Sequence, residues 1–380
     1  MRTLLANVRC AIRLLRMSPG YSITAILNLA LGIGMNSAIF SVVDAMLMRP
    51  IELPRLERLV SVMETELHQV GPWNQLSVAN YLDWKREARS FELFAVSRPS
   101  AFNLASGGPP DNVLGAGVTE DFFAITGLRP ELGRWFESKD FGPNADGRLA
   151  VLSHDLWVRR FGANPNIVGT TIRLNGMNYV VTAIAPSGMT LPSGAELWTP
   201  LVFTAREKKA RLGFLLFGVA MLKPGVEVED AQAELKAIAK RLERQYPDTN
   251  TGRGAKVLPL PRFVTGPARE FILMQMGAVI FVLLIACANV ANLQLARSVG
   301  RRKEMAVRVA LGATRGCIAG QLITEGLILG IAGGVVGIVF AGWGIDAIRV
   351  AMPPEAARNI PGWANIELDW RTVLFAAAIA

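Results

Sequence analysis

At 380 residues, with 51% hydrophobic and only 19% charged residues, the chain is more apolar than a soluble globular protein, in which charged residues run near a quarter. A mean hydropathy of +0.32 makes membrane segments the first features to seek. The formal net charge of +9 does not point to nucleic acid, because the excess sits in two short blocks beside apolar runs, where it sets membrane topology.

Residues 1–20 open with Leu5, Val8, Ile12 and Leu15 at spacings of three and four, and with Arg9, Arg13 and Arg16 elsewhere around the same helix. This pattern predicts a cytosolic amphipathic helix on the inner leaflet, broken at Ser18, Pro19 and Gly20. Residues 21–48 carry one charge, Asp44, and exceed the roughly 20 residues needed to cross a bilayer. They form span one. A signal peptide is the alternative, but its apolar core is only about 7–15 residues long and no clear small-x-small site follows. Ala30, Gly34 and Ala38 recur at four-residue spacing along this span, as in helices that pack closely.

The polar region at 49–270 holds none of the three cysteines, Cys10, Cys287 and Cys317, and is expected to fold without disulfides. Residues 170–174 and 177–184 are β-rich runs joined by Asn175 and Gly176, a type I′ hairpin signature. Ala231, Leu235, Ile238 and Leu242 mark an amphipathic helix that ends at Pro247 and the polar run after it. Strands are expected before it at 217–222 and after it around Val257, giving an α/β layer. Gly107, Gly108, Pro109 and Pro110 form a loop.

Residues 271–296 make span two, with Asn289 and Asn292 placed to hydrogen-bond a partner helix. Residues 297–321 are basic: Arg297, Arg301, Arg302, Lys303, Arg308 and Arg315 against Glu304 leave +5. Residues 322–349 make span three, in which Gly326, Gly330 and Gly334 form one small-residue stripe and Gly333 and Gly337 a neighbouring one. A loop at 350–371 leads to a last apolar run at 372–380, too short to cross and read as the start of a truncated span four. The positive-inside rule puts both basic blocks in the cytosol and residues 49–270 outside. The chain is therefore expected to be an α-helical membrane protein, three complete spans and a truncated fourth, with a large α+β extracytoplasmic domain.

Catalytic chemistry finds little to rest on. No G-x-x-x-x-G-K-[ST] string is present to hold phosphates. Two histidines, His68 and His154, are too few for a convincing zinc site. Ser153, His154 and Asp155 are adjacent, and in a strand adjacent side chains alternate faces and cannot form a relay. His154 is read as a surface turn or strand end.

In the basic segment, Met305, Val309 and Ala313 line one side and the arginines the other, as in a short helix between membrane and a protein partner. The alternative is a loop held only by anionic headgroups. The order Arg301, Arg302, Glu304, Ala306, Arg308, Ala310, Leu311, Gly312, Ala313 and then Gln321, Leu322, Glu325 closely resembles the coupling segment of FtsX-like and MacB-like ABC transporter permeases. Residues 115–140, 149–186 and 222–250 are similar to the MacB-type periplasmic core domain, and residues 13–47 resemble the N-terminal half of duplicated permeases of soil bacteria.

The resemblance implies four spans, the large domain after the first, and an ATPase-coupling role for that ordered set from Arg301 to Ala313 together with Arg315. It implies a bacterial inner-membrane location. The implied partners are a cytosolic ABC ATPase subunit that binds the ATP, a second permease copy or homodimer, membrane lipid and a periplasmic adaptor. The chain itself is expected to have no catalytic, cofactor or metal site. Implied function is mechanotransmission, with efflux or export of an unidentified substrate. A scaffold that regulates a periplasmic cell-wall hydrolase without transport is the other reading.

Overall fold

A computed structural model describes residues 9, 11–13, 15–49, 51, 53–66, 76–142, 147–189, 191–212, 216–300, 315–353, 360 and 362–380. The chain divides into two units, one made of Met1–Arg49, Ala268–Ala357 and Gly362–Ala380, the other chiefly of Pro50–Pro267.

In the first unit, helix α1 (Pro19–Val43) starts with proline at its first position, where the missing N–H would have had no partner. Its last turn widens into a π-helical stretch, Asp44–Met48. Together they make an apolar helix of 30 residues; Arg269–Arg297 and Ala319–Ala351 supply two more of 29 and 33 residues. All three are long enough to cross a membrane. The second leaves Phe271, Phe281, Leu284 and Ile285 more than half exposed, a surface that suits lipid and not water. Residues 9, 11–13, 15 and 16 are helical. Leu15 is buried as the stripe requires, but Ile12 is exposed and Ala11 takes the second buried place. The burial follows Ala11 and Leu15, one turn apart, instead of the larger Ile12.

In the second unit, ten strands form one sheet in the order β10-β1-β9-β2-β3-β8-β5-β7-β4, with β6 pairing β2 and β7. The strands are β1 (Leu59–Glu66), β2 (Phe91–Leu104), β3 (Asp111–Val118), β4 (Leu132–Gly133), β5 (Leu149–Leu152), β6 (Thr171–Leu174), β7 (Met177–Ile184), β8 (Leu197–Pro200), β9 (Phe217–Leu222) and β10 (Arg253–Pro259). Pairing is antiparallel except for β3 with β8 and β5 with β7. The helices after α1 are α2 (Val78–Glu87), α3 (Phe122–Thr126), α4 (His154–Phe161), α5 (Val228–Gln245), α6 (Pro247–Asn250), α7 (Leu260–Gly300), α8 (Arg315–Ala351) and α9 (Trp370–Ile379).

Ala231, Leu235, Ile238 and Leu242 of α5 are all buried and join Tyr81 and Trp84 of α2 over β1, β2, β9 and β10. The expected strand-helix-strand unit is split: β9 and β10 both pair with β1, which lies between them. Beyond α5 the chain does not turn directly into a loop. Tyr246 leaves the helical region because it precedes proline, and Pro247 restarts a short helix. The β6–β7 hairpin turns on Asn175 at φ 50° and Gly176 at φ 79°, the pair of left-handed residues that a type I′ turn needs.

Ser153, His154 and Asp155 are not in a strand. Ser153 caps α4, its Oγ accepting from Leu156 N at 3.1 Å, and His154 is the first helical residue, with Nδ1 2.7 Å from Glu131 Oε2. His154 faces Glu131 and Ser153 is occupied as a cap, so the geometry offers no serine–histidine relay.

One carboxylate couples α5 to the start of β2. Glu234 accepts from Arg89 N at 2.8 Å, Ser90 N at 2.9 Å and Ser90 Oγ at 2.5 Å. Burial pushes its pKa up, but the Ser90 hydroxyl and the two N–H donors more than reverse this and hold it below the ordinary glutamate range. A depressed folded pKa gives stability that is full above the unfolded value of about 4.3 and is lost as pH falls through the folded value. Glu234→Gln is therefore expected to cost about 0.5–1 kcal/mol at pH 7, the lower figure for hydrogen bonds to a carboxylate that solvent partly screens, with the gap to wild type closing toward pH 3. Urea titrations of both proteins between pH 7 and 3 check this; a gap independent of pH counts against it.

Candidate coupling site

Of the residues assigned to ATPase coupling, Arg301, Arg302, Glu304, Ala306, Arg308, Ala310, Leu311, Gly312 and Ala313 lie outside the described residues; Arg315 begins α8. The two chain ends that lead into and out of this segment are described. Arg297 lies near the end of α7, and Gln321 and Glu325 lie in the first turns of α8.

These ends meet. The Arg297 guanidinium lies 3.8 Å from Glu325 Oε2, an ion pair beyond hydrogen-bond reach. The same guanidinium donates to Ser18 Oγ at 3.1 Å and sits 4.5 Å from the centre of the Tyr21 ring, within cation–π range. Gln321 Nε2 donates to Glu325 Oε1 at 3.2 Å. Glu325 is buried. Sequence reading picked out Gln321 and Glu325 by resemblance but missed Arg297 as their partner, and gave Ser18 only a helix-breaking role.

The small residues fall on two faces. A methyl group added at Gly34 would lie 2.8 Å from Gly337 O and 3.1 Å from Phe340 Cβ, and one at Gly333 would lie 2.6 Å from Leu29 Cβ. Gly337 in turn lies against Ala30 O. Helices α1 and α8 thus touch backbone to backbone along Ala30, Gly34, Gly333 and Gly337. Ala38 is farther out, at 3.9 Å from the place of a methyl on Gly344. Gly330 and Gly334 face Ala380 at the end of α9, and Gly326 faces the Gln294 side chain. Asn289 and Asn292 are exposed.

The buried amide is another one. Asn36, in the middle of α1, donates from Nδ2 to Val279 O at 2.7 Å and to Gly32 O at 2.9 Å, and so ties α1 to α7. An asparagine inside an apolar span is the signal that could have found it.

A second charged group closes the far end of α1. Asp44 is buried and accepts from Arg49 Nε at 2.8 Å and from an Arg371 nitrogen at 3.1 Å. Arg49 also reaches Asp369 Oδ2 at 2.8 Å, and Asp369 caps α9 by accepting from Thr372 N at 3.0 Å. Thr372 Oγ1 pairs with Ser41 Oγ at 2.9 Å. The membrane unit therefore has a polar junction at each end of α1 and glycine contacts between them.

Family comparison gives this architecture a precedent. The MacB-like periplasmic core domain family matches residues 22–238, and the FtsX-like permease C-terminal family matches residues 276–379. The chain belongs to the MacB-like and FtsX-like family of ABC transporter permeases. It is 25% identical over 263 residues to an uncharacterised ABC transporter permease, YknZ, of Bacillus subtilis, covering 68% of this chain and 61% of that one. It is 26% identical over 235 residues to the macrolide export ATP-binding/permease protein MacB of Burkholderia thailandensis, covering 60% of this chain and 35% of that one. The chain thus spans under two thirds of each of these relatives. Among solved structures, the periplasmic region of MacB from Actinobacillus actinomycetemcomitans aligns with a TM-score of 0.41 at 16% identity, over 59% of this chain and 95% of that one. The extracellular domain of YknZ aligns with a TM-score of 0.39 at 13% identity, over 52% of this chain and 99% of that one.

Proposed function

We propose that this chain is the permease subunit of an ABC-type complex, in which a separate cytosolic ATPase acts on the segment between α7 and α8 and the helices carry the motion to the sheet domain. The observation that carries this is the joint match of a periplasmic core domain and an FtsX-like permease domain in one chain. Arginine-rich flanks before α1 and after α7 support a cytosolic N-terminus and an outward sheet domain in the bacterial inner membrane. The relatives named for macrolide export make macrolides the first substrates to test for efflux. A homodimer or second permease copy and a periplasmic adaptor complete the assembly.

The decisive test is co-purification of the cognate ATPase with wild type, a charge-preserving scramble of 301–315, Glu304→Lys and Gly312→Trp. Lipid attraction depends on total charge near the surface at about 1 kcal/mol per basic residue, so the scramble would then be harmless. Docking of an ATPase depends on order, and each variant is expected to lose stimulated hydrolysis by about tenfold or more while still inserting. Equal recovery and stimulation from all four proteins would leave only a basic topogenic loop.

A further inference from the structure

Between their polar ends, α1 and α8 meet through glycine, alanine and aliphatic groups. Such contacts hold helices close but resist sliding weakly, since small apolar faces have no directional bond to break. At the Arg297 end the arrangement changes. One guanidinium there, carried by α7, contacts two other elements: the start of α1 through Ser18 and Tyr21, and α8 through Glu325.

Glu325 is only 5% exposed, and removing a carboxylate from water is costly unless a cation faces it. A purely adhesive contact would not need a charge in that position. Gln321, one turn earlier on α8, donates to the other oxygen of the same carboxylate, which fixes its orientation toward Arg297. On the α1 side, Ser22 Oγ donates to Leu15 O at 2.8 Å and to Ser18 O at 3.1 Å. The turn that presents Ser18 to Arg297 is thereby held in place.

We infer that Arg297 is a positioning residue that clamps the two ends of the coupling segment to the start of α1, so that a push on that segment moves α1, α7 and α8 together. This deepens the permease reading and rests on it. The clamp needs a planar cation. An arginine can stack its planar fork on the Tyr21 ring while separate nitrogens face Ser18 and Glu325, whereas lysine has one compact nitrogen on a flexible stem and, drawn to the carboxylate, cannot hold that geometry toward Ser18 and the ring as well. Arg297→Lys therefore keeps the α7–α8 charge pair and cuts the link to α1. Tyr21→Leu keeps apolar bulk and removes the π face from the other side of the same link. Tyr21→Phe retains the face and is the conservative control.

The experiment uses the full chain with its cognate ATPase in nanodiscs, and reads ATPase capture, permease-stimulated hydrolysis and melting temperature for wild type and the three variants. The expected result is capture within about twofold of wild type for all, and stimulation reduced about tenfold in Arg297→Lys and Tyr21→Leu but not in Tyr21→Phe. Melting temperatures are expected to stay together, because each variant leaves Glu325 facing a cation. Stimulation by Arg297→Lys and Tyr21→Leu within twofold of wild type would remove the clamp and leave the permease reading intact. Loss of stimulation that follows a lowered melting temperature, or that Tyr21→Phe shares, would reduce Arg297 to a structural contact. If the wild-type complex shows no stimulation, the permease reading fails and this inference falls with it.

Discussion

Replacing Asp44 by alanine is expected to destabilise the membrane unit by about 3 kcal/mol, near the lower end of the loss seen when one partner of a buried ion pair is removed. The Asp44 side chain is 2% exposed and serves two arginines at once, Arg49 and Arg371. Asp369 balances the set, so two carboxylates face two guanidiniums. Removing Asp44 leaves two cations with one acid at the end of an apolar helix. The arginines are 31% and 41% exposed and can turn partly to water, which is why the lower end applies. Asp44→Asn retains an acceptor and is expected to cost less. Pairing Asp44→Ala with Arg371→Ala restores charge balance and is expected to recover part of the loss, the non-additivity expected of groups in one network. Thermal unfolding of the purified protein in detergent checks all three, together with Arg371→Ala alone. A single variant that melts with wild type, or a double variant that melts at the sum of the two losses, would show that the four groups do not act together.

That junction was not legible in the sequence, although Asp44 was visible as the one charge in span one. Its partner Arg371 lies 327 residues away and Asp369 lies 320 residues from Arg49, and no local pattern ties an acid at one helix end to an arginine in the first turn of another helix. The spans themselves were legible because a run of about 20 apolar residues has few other uses. The α5 stripe and the β6–β7 turn were legible for a similar reason: a 3.6-residue period and an Asn-Gly pair are local causes of local structure. Sheet order was not, since β1 sits between two strands that follow it by more than 150 residues. The glycine stripes show the limit within a single helix. Gly333 and Gly334 are both spaced four residues from other glycines, but one residue is about 100° of rotation, and only the packed structure selects Gly333 and Gly337 to meet α1. In the triad-like run, the expectation of a strand failed because Ser153 supplies the hydroxyl that starts a helix.

Glu64→Ala is expected to destabilise the sheet domain by about 3–5 kcal/mol, as much as truncating a buried core aromatic. Glu64 lies on β1 with its side chain 6% exposed, and its two oxygens have different duties. Oε1 accepts from Ser77 N at 2.8 Å, Ser77 Oγ at 2.7 Å and Asn80 Nδ2 at 2.9 Å, fixing the start of α2. Oε2 faces Arg253 of β10 at 3.1 Å. Around it, Arg211 donates to Asn80 Oδ1 at 2.5 Å and to Asp83 Oδ2 at 2.6 Å, and lies 3.6 Å from the Tyr246 ring centre. Alanine would leave three buried donors without their acceptor and take the facing carboxylate from Arg253, which keeps its bond to Arg211 O, and each unmet buried group carries its own desolvation cost. Glutamine separates the two duties. It can accept the three bonds at Oε1, but its amide nitrogen would then oppose the Arg253 guanidinium, donor against donor. Glu64→Gln is therefore expected to fall between wild type and alanine, and Glu64→Gln with Arg253→Leu to regain stability by removing the opposed donor. Urea unfolding of residues 50–267 produced as a separate domain measures the series. Equal midpoints for alanine and glutamine would place the whole loss on the Arg253 pair, and midpoints equal to wild type would show that α2 is held by its apolar face alone.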